Sequence, residues 1–281
     1  MDAQRAAGLP VFVINLDRVP ERWAFVRNQF EQVGLGQDVT RFQAVDASAA
    51  DFTAPAYAPH SWRDRWELDP SEQAIFESHK AIWQKVAVDH PGGAVICEDD
   101  ILISRQLPDT LRVLDLDRFG VVKLDGFSAQ RRYGPMVESA GLILRPILEP
   151  VPSAACYAVS QAAARQLVAA AQEYCETLDD FVFAPRPGLT PVQLFPGVAV
   201  QGMCCVDTGL RVPGTVSQSE RATQEKPRSA QKGPFSYRLT KECKRLLRRA
   251  RLATGADRRL IAKGGLHARP ELAADLPAYR P

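Results

Sequence analysis

Glu98, Asp99 and Asp100 interrupt the apolar run AVICEDDILIS, residues 94–104. Adjacent carboxylates repel one another, and burying them without partners is costly. Two arrangements relieve that cost: a strand end open to solvent, or a cation held among the acids. In an extended strand alternate side chains share a face, which pairs Glu98 with Asp100 and turns Asp99 the other way. Paired carboxylates suit a hard cation such as Mg2+ or Mn2+, which takes oxygen ligands and bridges to phosphates. Ligands of open α/β sheets bind beyond the carboxyl ends of the strands, where this run would place its acids.

The elements that must position these acids read as follows. LPVFVINLD (9–17) is a short β-branched and aromatic strand, and PERWAFVRNQFEQVGL follows with Pro20 at a helix start. Trp23, Val26, Phe30 and Val33 recur at helical spacing, and Gly34 supplies the stop. VTRFQAVDA (39–47) is a second strand, so the opening predicts a βαβ unit and a mostly parallel sheet. SEQAIFESHKAIWQKVAVDH (71–90) predicts a long helix with Ser71 at its cap. GVVKLDG (120–126) and LFPGVAVQ (194–201) read as single strands, and AACYAVSQAAARQLVAAA (154–171) as a strand running into a helix capped by Ser160. Residues 215–234 carry almost no apolar side chains and read as a linker or flexible loop.

Of 281 residues, 46% are hydrophobic and 24% charged, the balance of a soluble globular chain with ample core. No apolar run reaches the roughly 18 residues of a membrane span, and the N-terminal apolar stretch is too short and polar for a secretory signal. Six cysteines without regular spacing fit a reducing compartment, so the expected location is the cytoplasm. The net charge of +2 hides an asymmetry: residues 217–281 hold 16 Lys/Arg and 6 Asp/Glu, and residues 1–216 hold 19 and 27. The body therefore does not suit a nucleic acid, and the basic end suits an acidic surface.

In order, the segments VFVINLDRVPERWAFVRNQFEQVGL, RFQAVDA, SEQAIFESHKAIWQKV, AVICEDDILI, ACYAVSQAAARQL and TLDDFVF resemble glycosyltransferase family 25. This family includes lipooligosaccharide and collagen galactosyltransferases. Asn15, Leu16, Arg18 and Arg22 stand at matching places in the first segment, and the Ser78-His79 pair lies in the third. The chain differs from the family in having Ala47 after the Ala-Val-Asp triplet. It also has Ser71 to Ile75 in place of a Gly-Cys-containing signature, and Thr177-Leu178-Asp179 in place of Pro-Val-Asp.

The resemblance implies a Rossmann-type α/β fold of the GT-A kind for the catalytic domain, residues 1–214, and composition sets beyond it the linker or flexible loop at 215–234 and a basic helical region at 235–281. It implies a UDP-sugar donor, most commonly UDP-galactose, with Mn2+ or Mg2+ held by Glu98 and Asp100 against the diphosphate, and Asp99 as the alternative ligand. Asn15, Asp17 and Arg18 would lie near the nucleoside, and Asp46 would take a ribose hydroxyl or a uracil edge. His79, Lys123 and Asp125 are further donor contacts, with a hydrogen-bonded core histidine as the other reading of His79. Asp179 or Asp180 would be the base that deprotonates the acceptor hydroxyl in an inverting displacement. The acceptor would be a glycan or lipid-linked oligosaccharide in lipopolysaccharide or other cell-surface polysaccharide synthesis. A catalytically inactive nucleotide- or glycan-binding relative and a phosphate-metal hydrolase are the rival classes.

FSYRLTKECKRLLRRARLA (235–253) places Leu239, Cys243, Leu246, Leu247 and Ala250 on one helical face, among seven Lys/Arg and the single acid Glu242. Either that stripe packs on the catalytic domain, or the helix lies on an anionic membrane surface, the inner face of the cytoplasmic membrane.

Overall fold

The computed structural model describes residues 8–63, 65–206, 233–253 and 255–280. The expected βαβ opening forms as β1 (Val11–Asn15), α1 (Pro20–Gln32) and β2 (Val39–Gln43), with β1 and β2 parallel. Pro20 fits the first turn of α1 because the amide hydrogen it lacks would have had no intrahelical acceptor. Arg22, Val26 and Phe30 recur every fourth residue, so α1 buries an arginine in line with its apolar stripe.

The next helix, α2 (Pro70–Asp89), starts one residue earlier than the sequence suggested, and Asp69 rather than Ser71 is its cap. Asp69 accepts from the Glu72 amide at 2.9 Å while Glu72 accepts from the Asp69 amide at 3.1 Å. This reciprocal box satisfies two orphan donors of the first turn.

Three runs read as single strands are each split. AVICEDDILI gives β3 (Ala94–Glu98) and β4 (Ile101–Ile103). After the short helices α3 (Leu107–Val113) and α4 (Leu116–Phe119), GVVKLDG gives β5 (Val121–Lys123) and β6 (Asp125–Gly126). Then come β7 (Arg131–Tyr133), β8 (Val137–Ser139), β9 (Leu142–Pro146), β10 (Cys156–Val159), α5 (Gln161–Ala170) and α6 (Leu178–Val182). Ser160 caps α5 as expected, accepting from the Ala163 amide at 3.1 Å. LFPGVAVQ divides between β11 (Val192–Phe195) and β12 (Ala199–Gln201) around a cis Phe195–Pro196 bond.

The splits have one meaning. β3, β5 and β11 belong to an eight-stranded sheet ordered β2-β1-β3-β10-β5-β11-β9-β8, and their continuations form a three-stranded sheet ordered β4-β12-β6. Three strands thus cross from one sheet to the other, and the breaks form a seam. The parallel expectation holds for β1 with β2 and β3, and for β5 with β11; β10 runs antiparallel between β3 and β5, as do β8 and β9 at the far edge, so the sheet is mixed. Alternating residues feed two cores: Phe12, Ala94 and Ile96 join α2, α5 and α6 on one face, and Val11, Val13, Val95 and Cys97 join α1, α3 and α4 on the other.

The C-terminal residues return to this body. β13 (Leu266–Ala268) pairs with β7, and Leu272, Leu276 and Tyr279 pack on the small sheet against Leu102 and Val200. Their approach is close enough that a Cβ on Gly126 would stand 2.3 Å from the Tyr279 hydroxyl. The helix Phe235–Ala253 is formed as the sequence suggested. The expected linker at 215–234 and the domain limit at 214 lie outside the described residues, apart from Gly233 and Pro234.

Candidate active site

The acidic run sits on the seam. β3 ends at Glu98, Asp99 and Asp100 form the turn, and β4 begins at Ile101. Alternation along one strand therefore does not set the directions of these acids; their neighbours do. Gln201, the last residue of β12, reaches two of them. Its Nε2 donates to Glu98 Oε2 at 2.8 Å and stands 3.4 Å from both carboxylate oxygens of Asp100. Glu98 and Asp100 thus converge on one point.

Asp99 turns toward β1 and α1. Asn15 Nδ2 donates to Asp99 Oδ2 at 2.6 Å and to the Val19 carbonyl at 3.1 Å. Arg22 Nη2 lies 3.0 Å from Asp99 Oδ1 and 3.1 Å from Asp100 Oδ2, so one guanidinium nitrogen bridges two adjacent carboxylates. Arg22, Asp99 and Asp100 are 8%, 7% and 6% exposed, which keeps water from screening these contacts. Burial pushes the Asp100 carboxyl above its usual range, opposed first by the Arg22 charge and then by the Gln201 hydrogen bond. The Nε of Arg22 is buried and has no hydrogen-bond partner among the described residues.

These residues fit a divalent cation in a particular way. Among the described residues no group of three or more His, Cys, Asp or Glu is arranged to hold a metal as an all-protein cage. Two converging carboxylates offer a partial coordination shell, the kind Mg2+ completes with water and substrate phosphates.

The remaining donor candidates from β1 and β2 gather at the neighbouring rim. Register places Gln43 beside Asn15. Arg41 Nε donates to Asn15 Oδ1 at 2.8 Å, and Arg41 Nη2 and Gln43 Nε2 each reach Asp17 at 2.7 Å. Both functions of the Asn15 amide are engaged within the protein, and it orients Asp99. Arg18 Nε pairs with Asp46 Oδ2 at 3.1 Å, and the Ser48 hydroxyl and amide hold Asp46 Oδ1 at 2.7 and 2.9 Å. These Ser48 bonds, and then Arg18, hold the Asp46 carboxyl below its usual range. Asp17, Arg18 and Asp46 keep solvent-exposed surface on this rim, where a ligand can meet them.

Lys123 and Asp125 differ from their expected role. Both are fully enclosed, with Nζ 2.7 Å from Asp125 Oδ1. Ser153, at a left-handed φ of 70°, offers its carbonyl to Lys123 and its hydroxyl to Asp125 at 2.7 Å, and the Cys156 amide also reaches Asp125. Burial raises the Asp125 pKa against the pull of Lys123. With their charges spent on each other, the pair fixes the β5–β6 crossing and presents no surface to a donor.

His79 is likewise interior, 1% exposed. Trp83 Nε1 donates to the Tyr157 hydroxyl at 2.7 Å, and that hydroxyl lies 3.0 Å from His79 Nδ1. Tyr157 can then give its own proton to Nδ1, which leaves the histidine proton on Nε2. Burial lowers the His79 pKa from 6.5 to about 3, so the ring is neutral. This is the core-histidine reading. Ser78 serves the fold as well, since its hydroxyl accepts from the Val45 amide at 2.9 Å and ties α2 to the segment after β2.

Asp179 and Asp180 lie in the first turn of α6. Asp180 Oδ2 accepts from Thr177 Oγ1 at 3.0 Å, and Asp179 is partly exposed. Their helix rests on the core formed with α2 and β10: the Phe181 ring packs 4.9 Å from Phe76 and 5.8 Å from Trp83, and Phe183 lies 5.8 Å from Tyr157. No hydrogen bond or ion pair is seen between Asp179 and the acids of the turn among the described residues.

Arg22, Arg41 and Gln201 complete the site. The sequence placed Arg22 in the first helix at a family-matching position without naming its partners. Arg41 and Gln43 share a face of β2 by alternation, a signal available in the sequence. Gln201 becomes a partner of Glu98 and Asp100 only because β12 lies between β4 and β6.

No curated protein matches the chain. The family described as glycosyltransferase family 25 (LPS biosynthesis protein) matches residues 9–182, from the approach to β1 through α6. That span covers more than half of the chain and holds every candidate site residue except Gln201, which reaches the acids from beyond it. The chain belongs to glycosyltransferase family 25.

Proposed function

We propose that this protein transfers a hexose, galactose on the family resemblance, from a UDP-sugar to a glycan acceptor in lipopolysaccharide or related cell-surface polysaccharide synthesis. Family membership supports a transferase acting between a sugar donor and a glycan. The observation that carries the finer reading is the convergence of Glu98 and Asp100 on Gln201 at the seam, beside the rim of Asp17, Arg18 and Asp46.

In this reading Glu98 and Asp100 hold Mn2+ or Mg2+, which when bound offsets the negative charge that develops on the diphosphate leaving group. Arg22 and Asn15 keep Asp99 and Asp100 fixed and the cluster below full charge. Asp17, Arg18 and Asp46 receive the nucleoside. Asp179 takes the proton from the acceptor hydroxyl as its oxygen attacks the anomeric carbon and UDP departs, the geometry of an inverting displacement.

A second reading rests on Arg22. Its guanidinium already partly neutralises Asp99 and Asp100, an arrangement that would also serve a nucleotide-binding relative without turnover. UDP release and glycan product measured with UDP-galactose and Mn2+ separate the two readings, with a mass-spectrometric screen of other nucleotide sugars. Transfer lost in EDTA and in Asp100→Asn is expected. Full turnover in either condition removes the metal assignment, and nucleotide binding without any turnover selects the second reading.

A further inference from the structure

The helix Phe235–Ala253 presents an apolar stripe away from the body. Among its described side chains the inward anchor is Tyr237, 4% exposed, whose ring lies 5.8 Å from Trp62 and 5.1 Å from Trp66 and whose hydroxyl donates to the Arg63 carbonyl at 3.1 Å. At about 100° per residue, Leu239, Cys243, Leu246, Leu247 and Ala250 fall about 180° to 280° around the axis from Tyr237. The stripe must then face outward, and it does: all five are exposed, with Leu239, Leu246 and Leu247 at 52%, 57% and 64%. The expectation that this stripe packs on the catalytic domain is therefore not what the structure shows.

Three features decide what covers it. The helix sequence carries seven Lys/Arg against Glu242 alone, so its surroundings favour an anionic partner. Arg238 and Arg245 stand about 80° to 100° from Tyr237, on the flank between the anchor and the stripe, with Arg245 paired to Glu242 at 2.7 Å; long cationic stems there lie over the helix surface with their heads in a polar layer. Trp62, 52% exposed beside the anchored end, is the side chain type that settles at a headgroup boundary. An apolar stripe of modest residues, a basic flank and an interfacial tryptophan together describe a helix lying in the plane of a membrane surface. No helix among the described residues is long and apolar enough to cross a membrane, so the association would be peripheral.

We infer that the helix Phe235–Ala253 docks the protein on an anionic lipid surface, with Leu239, Leu246 and Leu247 entering the headgroup boundary. The charge division along the chain orients the docked molecule: the excess of acids in residues 1–216 is repelled by the surface that attracts the basic end. Docking involves neither donor nor acceptor, so its failure would leave the transferase reading standing.

The test is co-sedimentation of the full chain with vesicles, without nucleotide, using phosphatidylcholine alone or with about one third phosphatidylglycerol. The full chain should pellet with anionic vesicles and remain in solution with neutral ones, and high salt should release it. Leu239→Ser/Leu246→Ser/Leu247→Ser removes only exposed side chains, leaves every charge in place, and should weaken vesicle binding at least about tenfold with an unchanged circular dichroism spectrum. Arg238→Glu/Arg245→Glu should do the same by charge. Absence of pelleting overturns the proposal. So does binding that the leucine substitutions leave intact, which would show that the charges alone hold the vesicle and that the stripe does not enter it.

Discussion

Replacing Arg22 by methionine should expose how the acidic turn is held together. Arg22 Nη2 contacts Asp99 at 3.0 Å and Asp100 at 3.1 Å, and all three residues are under a tenth exposed. With an effective dielectric near 20, each contact is worth about 5 kcal/mol of gross attraction. The guanidinium loses most of that gain to its own desolvation, and methionine regains apolar packing beside Val26 and Phe30. The net loss should therefore fall to about 3–5 kcal/mol, the range for removing one partner of a buried ion pair. The loss should also depend on pH. Burial already raises the Asp100 pKa above 3.8, and removing Arg22 raises it further. Over that window the folded variant binds more protons than the unfolded chain, so its stability falls as pH rises. The deficit should be larger at alkaline pH than at mildly acidic pH, where Asp100, its carboxyl raised by burial, takes up a proton. Urea unfolding followed by tryptophan fluorescence at both pH values measures it, with Arg22→Lys expected to lose less because it keeps the charge. A loss below about 1 kcal/mol, or one that grows toward acid, would refute the view of Arg22 as the fixed counter-charge of the turn.

Two further outcomes are expected. Asp179→Asn should lower kcat by about 100-fold or more while UDP affinity stays within about twofold, and if Asp180→Asn is the inactive variant the base belongs one residue on. His79, neutral in the folded state with a pKa of about 3 against 6.5, gives the unfolded chain the greater proton uptake between those values, so its contribution is full above 6.5 and declines as pH falls through the window. His79→Gln should flatten the slope of unfolding free energy between about pH 4 and pH 6, and an unaltered slope would show that another group carries it.

The sequence determined the parts that rest on local rules. The βαβ opening, the long helix and the Ser160 cap follow from apolar spacing and capping chemistry, which act over a few residues. The family was legible for a similar reason, because the order of segments from β1 to α6 lies in the chain itself. The tripeptide Glu98-Asp99-Asp100 announced a cluster that needed partners, without naming them.

Only the tertiary structure decided which partners those are. Lys123 and Asp125, read as donor contacts, neutralise each other in the core because β5 ends inside the sheet and Ser153 closes over both. Arg22 is buried because its spacing places it in the inward stripe of α1, where the acidic turn supplies its compensation through Asp99 and Asp100. Gln201 is 101 residues from Asp100 and meets it because β11 leaves the large sheet and β12 enters between β4 and β6. A strand's crossing from one sheet to another depends on which edges are free once the rest has folded, a non-local competition for backbone hydrogen bonds that no short segment records.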